Sequence, residues 1–141
     1  MIMINPYLNF MGTTEEAMNF YKSVLGGEFT LVQRFKDVTG SDKMPANEQN
    51  KILHIALPVG QSTIMATDLL ESLGQTISEG NNNHLCLHAE SEAEVDKLFN
   101  GLSAGGQVTM PVNRTFWGAY FGMFRDKYGV QWMITYDAPK Q

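Results

Sequence analysis

The chain has 141 residues, of which 43% are apolar, 11% aromatic and 18% charged, a length for one ordinary domain and a composition that excludes wholesale disorder. Ten basic against fifteen acidic side chains leave a formal charge of −5 with no Lys/Arg cluster, which argues against a nucleic-acid partner. No apolar run reaches the roughly 20 residues of a membrane span. Met1-Ile2-Met3-Ile4-Asn5-Pro6 has neither the charged start nor the long apolar core of a signal peptide. The lone cysteine, Cys86, can form no internal disulfide, so a cytoplasmic protein without a membrane partner is expected.

The first predicted element is a short strand at Pro6–Phe10. A helix follows, opened by Thr13 and Glu16 at capping-box spacing and striped by Ala17, Phe20, Tyr21, Val24 and Leu25. Gly26-Gly27 ends it. Strands are expected over Glu28–Lys36, Lys51–Val59 and Ser62–Asp68, the last two joined by a tight Gly60-Gln61 turn. Between them Asp37–Asn50, with Gly40, Ser41, Pro45 and Asn47, reads as a mobile loop that is either disordered or covers a ligand. Leu69–Asn83 links the halves, with a short helix near Asp68–Leu73.

The grammar then repeats. A strand at His84–His88 leads to a helix boxed by Ser91 and Glu94, striped by Val95, Leu98, Phe99 and Leu102, and ended by Gly105-Gly106. Gln107–Val112, Phe116–Arg125 and Gly129–Tyr136 complete it as strands, with Asp126-Lys127-Tyr128-Gly129 as a turn. Aligning the caps gives an offset of 91 − 13 = 78, which sets Pro6 opposite His84. The expectation is one α+β domain over 1–141, built of two βαβββ modules at about 1–70 and 83–137 with a connector at 71–82. Each sheet buries one face under its helix, and joining the sheets would make the other faces line a cavity.

Pro6-Tyr7-Leu8-Asn9-Phe10 with Gly12, Glu16-Ala17, Phe20-Tyr21 and Leu25-Gly26-Gly27 resembles the vicinal-oxygen-chelate superfamily of glyoxalases, bleomycin-resistance proteins and dioxygenases, in its PhnB-like branch. Phe116-Trp117-Gly118, Phe121-Gly122 and Asp126-Lys127-Tyr128-Gly129-Val130-Gln131-Trp132-Met133-Ile134 match that branch as well. The resemblance implies a small-molecule ligand in a sheet-lined cavity and a homodimer. It also implies metal ligands on the first and last strands of each half, which fall here on Pro6, about Met65, His84 and Met133. Of these only His84 could coordinate a hard divalent ion, so no metal or other cofactor is predicted and the usual site reads as absent.

A local zinc cluster is the competing possibility, because alternation places His84, Cys86 and His88 on one face of a strand. His54 alternates onto the less apolar face of its own strand, where it and His84 are ligand-orienting candidates, proton-transfer candidates or ordinary hydrogen-bonded histidines. Thr67 is a further polar candidate, and Met65 and Met133 supply adaptable apolar contact or plain core. Cys86 is a pocket candidate or an inert mid-strand thiol. Trp117, beside Gly118, is either a pocket wall or buried, whereas Trp132 is expected under a helix. Arg125 and Asp126 read as a solvated turn pair, and Asp68 as a cap on the segment that follows it or a group at the cavity mouth. No phosphate-binding glycine loop, nucleophile elbow or glycine-rich turn for S-adenosylmethionine is present. The function expected is therefore small-molecule binding, with a metal-dependent or acid–base isomerase, lyase or dioxygenase of the same superfamily as the alternative.

Overall fold

Two compact units, Met1–Ser78 and Glu79–Gln141, make up the chain in a computed structural model that describes residues 2–38 and 40–137. Thr39, inside the expected loop, lies outside the described residues. The first unit contains β1 (Tyr7–Phe10), α1 (Thr14–Leu25), β2 (Leu31–Arg34), α2 (Ala46–Gln49), β3 (Ile52–Val59) and β4 (Ser62–Asp68). The second contains β5 (Leu85–His88), α3 (Glu92–Ser103), β6 (Gln107–Arg114), β7 (Ala119–Arg125) and β8 (Gln131–Asp137). Their sheets have the same order, β1-β4-β3-β2 and β5-β8-β7-β6, with the first strand parallel to the last and the other pairs antiparallel. This is the α+β, twice-built βαβββ architecture that the repeated sequence grammar predicts.

Each helix covers one face of its own sheet. Ala17, Met18 and Tyr21 of α1 are fully buried, as are Ile55 and Leu57 of β3 and Ile64 and Ala66 of β4. In the second unit Val95, Phe99 and Leu102 of α3 are buried, with Phe124, Trp132 and Ile134 beneath them. Phe99 meets Phe124 edge-on at 5.0 Å, a favourable aromatic geometry. Gly122 allows that approach: a Cβ there would stand 2.7 Å from the Phe99 ring.

The helix starts are not equivalent. Thr13 makes no capping bond; the buried Asp68 carboxylate takes its place, accepting from Gly12 N (2.9 Å), Thr14 N (3.2 Å) and Thr14 Oγ1 (2.7 Å) through Oδ1, and from Ile52 N (2.8 Å) through Oδ2. Asp68 therefore caps the preceding helix α1, not the segment after it, and reaches no cavity mouth. A carboxylate suits this place because it faces the positive end of the helix dipole. At α3 the Ser91 hydroxyl accepts from Glu94 N at 3.1 Å as expected, but the Glu94 carboxylate accepts from Glu90 N, one residue before the box position. One device is duplicated: Arg34 at the end of β2 pairs with Glu15 in the first turn of α1, and Arg114 at the end of β6 pairs with Glu92 in the first turn of α3.

Several expected boundaries move for visible reasons. Glu28–Lys36 contracts to β2, because Phe35–Asp37 form a 3₁₀ turn in which the Asp37 carboxylate accepts from Arg34 N at 2.8 Å. The expected strand over Phe116–Arg125 starts only at Ala119: Thr115 accepts the Ala119 amide on its hydroxyl, and Phe116-Trp117-Gly118 form the turn. The loop over Asp37–Asn50 holds a 3₁₀ turn at Ser41–Lys43 and the helix α2. It is tethered by the buried Glu48, which accepts from the amide and hydroxyl of Ser72 in the 3₁₀ turn Glu71–Leu73. Asp126 is buried, not solvated: it accepts from Tyr128 N, Val130 N and Trp132 Nε1. Arg125 turns instead to Glu79 and to the carbonyls of Gly80 and Gly129.

Candidate functional site

Strand register decides which side chains share the sheet face away from each helix. In the first unit Tyr7 stands beside Met65, Asn9 beside Thr67, and Met65 beside Ala56. His54 lies two residues before Ala56 and beside Gln33, and so joins that face. Its ring centroid is 5.6 Å from that of Tyr7, and the Tyr7 hydroxyl is 3.5 Å from His54 Nδ1, at the outer limit of a hydrogen bond. Thr67 donates its hydroxyl to Leu53 O at 2.7 Å, which fixes its rotamer and leaves its lone pairs as acceptors. Tyr7, His54, Met65 and Thr67 thus form one patch: a phenol, an imidazole, a thioether and a hydroxyl.

In the second unit the corresponding face carries Cys86 beside Met133, Met133 beside Met123, and His88 beside Thr135. Cys86 Sγ lies 3.7 Å from His88 Nε2. Burial, and then the charge of Asp137, push the Cys86 thiol above its ordinary pKa, which keeps it protonated and a poor nucleophile at neutral pH. His84 precedes β5 and is exposed, so only Cys86 and His88 of the expected histidine–cysteine row lie on the strand. Trp117 is 63% exposed in the β6–β7 turn, against Phe116 and 6.2 Å from the ring of Phe121; it is not buried.

In the strand register Tyr7 is the residue beside Met65 and Cys86 the residue beside Met133. Phe10 and His88 each lie four residues before their helix, yet Phe10 is buried on the helix side and His88 faces away. An alignment on the caps is therefore half a pleat out of phase on the strands. The alternation of Tyr7 and Asn9 against Leu8 and Phe10 was the available signal for Tyr7, and the offset hid it. Phenol, thioether, thiol and thioether do not make a donor set for Mg²⁺, Mn²⁺, Fe²⁺ or Ni²⁺. Among the described residues no three His, Cys, Asp or Glu side chains are grouped to hold a metal ion.

A fold of this topology defines a class. The chain belongs to the glyoxalase/bleomycin resistance protein/dioxygenase superfamily, whose family model matches residues 4–134. Within that superfamily it is similar to the YjdN protein of Escherichia coli strain K12, 31% identical over 139 residues that span 93% of this chain and 92% of that one. Among solved structures it is similar to PA1353 of Pseudomonas aeruginosa, with a TM-score of 0.85, 37% identity and coverage of 97% and 98% of the two chains. It is also similar to the PhnB protein of Bacillus cereus, with a TM-score of 0.78, 27% identity and coverage of 96% and 99%. Among the described residues no helix is long and apolar enough to cross a membrane.

Proposed function

We propose that this protein binds a small molecule on the sheet faces away from its helices and does so without the superfamily's usual divalent metal. The observation that supports the reading is the register pair Tyr7–Met65 and Cys86–Met133, where the side chains facing each other across the first and last strands of each sheet are weak or soft donors. Apolar walls with a few oriented polar groups are what such a site requires. Met65 and Met133 supply adaptable contact, while His54, Tyr7 and Thr67 supply hydrogen bonds of fixed direction. A homodimer fits the same reading, since the edge strands β2 and β6 expose Leu31, Val32 and Val108.

The test is a ligand screen by calorimetry on chelator-treated protein, with elemental analysis of the untreated sample. Binding should survive chelation and fall at least tenfold in Met65→Lys and His54→Ala. Near-stoichiometric Mn, Fe, Ni or Zn that is lost on His84→Ala would overturn the reading. The Tyr7–His54 contact favours one second reading, a metal-free acid–base enzyme in which the pair moves a proton. Substrate depletion with a pH-dependent rate, abolished by His54→Ala, separates turnover from binding.

A further inference from the structure

Three neighbouring strands of the second unit set sulfur side chains side by side. Cys86 on β5 pairs with Met133 on β8, and Met133 pairs with Met123 on β7, so the three occupy one level of one face. Adjacent strands lie about 4.8 Å apart, well within the reach of a methionine side chain. Met110 on the edge strand β6 pairs with Met123 in turn, between two irregularities of register. His88 adds a nitrogen, its Nε2 3.7 Å from Cys86 Sγ. Cys86 is exposed and Met123 and Met133 are half-buried, so the row is reachable from solvent.

Thiolate and thioether sulfur select soft ions, and imidazole completes such sets, whereas hard divalent cations favour oxygen. We propose that the face formed by β5, β8 and β7 binds one soft monovalent cation of the copper(I) and silver(I) class, held by Cys86 Sγ, Met133 Sδ and His88 Nε2 with Met123 Sδ alongside. On binding, the Cys86 S–H proton leaves to solvent and a sulfur–metal bond forms, with no change of oxidation state. One thiolate and one monovalent ion cancel, so the complex leaves no net charge among the thioethers, which lowers its desolvation penalty. The inference goes beyond the small-molecule reading and does not rest on it, since an organic ligand bound by metal-free protein leaves it untouched.

The test uses the full chain, labelled with ¹³C in the methionine methyl groups and titrated with silver nitrate in chloride-free buffer. One equivalent of silver should shift the Met133 and Met123 methyls and leave that of Met18, buried on α1, in place. Met133→Leu and His88→Gln should each weaken silver binding at least tenfold in a competition titration, whereas Met65→Leu should not. If Cys86→Ser abolishes binding while Met133→Leu and His88→Gln leave it unchanged, the ion sits on a bare thiol and the proposal fails. Methyl shifts in the unsubstituted protein decide the matter if a variant does not fold; absence of a Met133 shift refutes the site.

Discussion

Asp68→Asn is the perturbation whose size follows most directly from the structure. Asp68 Oδ1 takes three donors at the start of α1 and Oδ2 takes Ile52 N at the start of β3. An amide keeps the oxygen but sets an NH₂ group against the buried Ile52 N–H, leaving that donor unsatisfied at about 1–3 kcal/mol. It also removes the negative charge at the helix N-terminus, up to about 2 kcal/mol for a partly buried geometry. The sum, roughly 1–5 kcal/mol, is a large share of the ~5–15 kcal/mol that holds a typical domain together. With a urea m-value of about 2 kcal/mol/M, the midpoint should fall by about 0.5–2.5 M. Both tryptophans, Trp117 and Trp132, belong to the second unit, so far-UV circular dichroism read beside tryptophan fluorescence distinguishes loss of the first unit from loss of the whole chain. Asp68→Ala, which removes all four acceptor contacts, should cost more than Asp68→Asn. A stability change under ~0.5 kcal/mol for Asp68→Asn would refute the reasoning, because a buried N–H cannot lose a carboxylate acceptor at 2.8 Å at so small a penalty.

Glu48 gives a pH-dependent counterpart. The Ser72 hydroxyl, then the Ser72 amide and the charge of Lys51, hold its carboxyl below the ordinary glutamate pKa despite its burial. Its contribution is therefore present above the ordinary value and is lost as pH falls through the lowered folded value. Ser72→Ala should move the acid transition of the Glu48 carboxyl, followed by NMR, to higher pH; an unmoved transition would contradict the assignment. Gly122→Ala should destabilise by about 1–3 kcal/mol through overpacking against Phe99, measurable by urea titration, and Phe99→Leu in the same chain should recover part of the loss.

The helices were readable because their stripes are long and their stops are double glycines, and β4, Ser62–Asp68, was readable because the Gly60-Gln61 turn marks its start. Three things were hidden. The β7 boundary was one, because Phe116 and Trp117 look like strand residues but are thrown out of the sheet by a turn that Thr115 closes onto Ala119. The role of Asp68 was another, since it draws its partners from 16 to 56 residues away, beyond any local rule, whereas the partners of Asp126 lie 2 to 6 residues on, an Asx-type turn that a reading of the pair as solvated passed over. The third was the phase of β1 against β5: with Tyr7 beside Met65 and Cys86 beside Met133 the strand offset is 86 − 7 = 79, not the 78 of the caps, and a one-residue slip changes no composition and no helix spacing yet turns each side chain to the other face.

The fate of the carboxylates explains the character of the candidate site. Asp68 is consumed by the start of α1 and β3, Asp126 by the β7–β8 turn and Trp132, Glu48 by Ser72, and Glu15 and Glu92 by the paired arginines Arg34 and Arg114. Each lies in a helix start, a loop or a turn, or on the helix side of a sheet, where backbone N–H groups and guanidinium groups satisfy it. The faces away from the helices carry Tyr7, His54, Met65 and Thr67 in one unit and Cys86, His88, Met123 and Met133 in the other, none of them a carboxylate, while the charge of Asp137 at the end of β8 reaches Cys86. On the proposed reading these side chains act through polarisability and a few directed hydrogen bonds, because they offer an incoming apolar group little desolvation penalty. Introducing one carboxylate by Met133→Glu, beside Cys86 and His88, would supply the oxygen donor that a divalent ion needs. Zinc binding gained in that variant and absent from the parent protein, read by calorimetry, is the outcome expected if donor type, and not strand geometry, sets the metal preference of this fold.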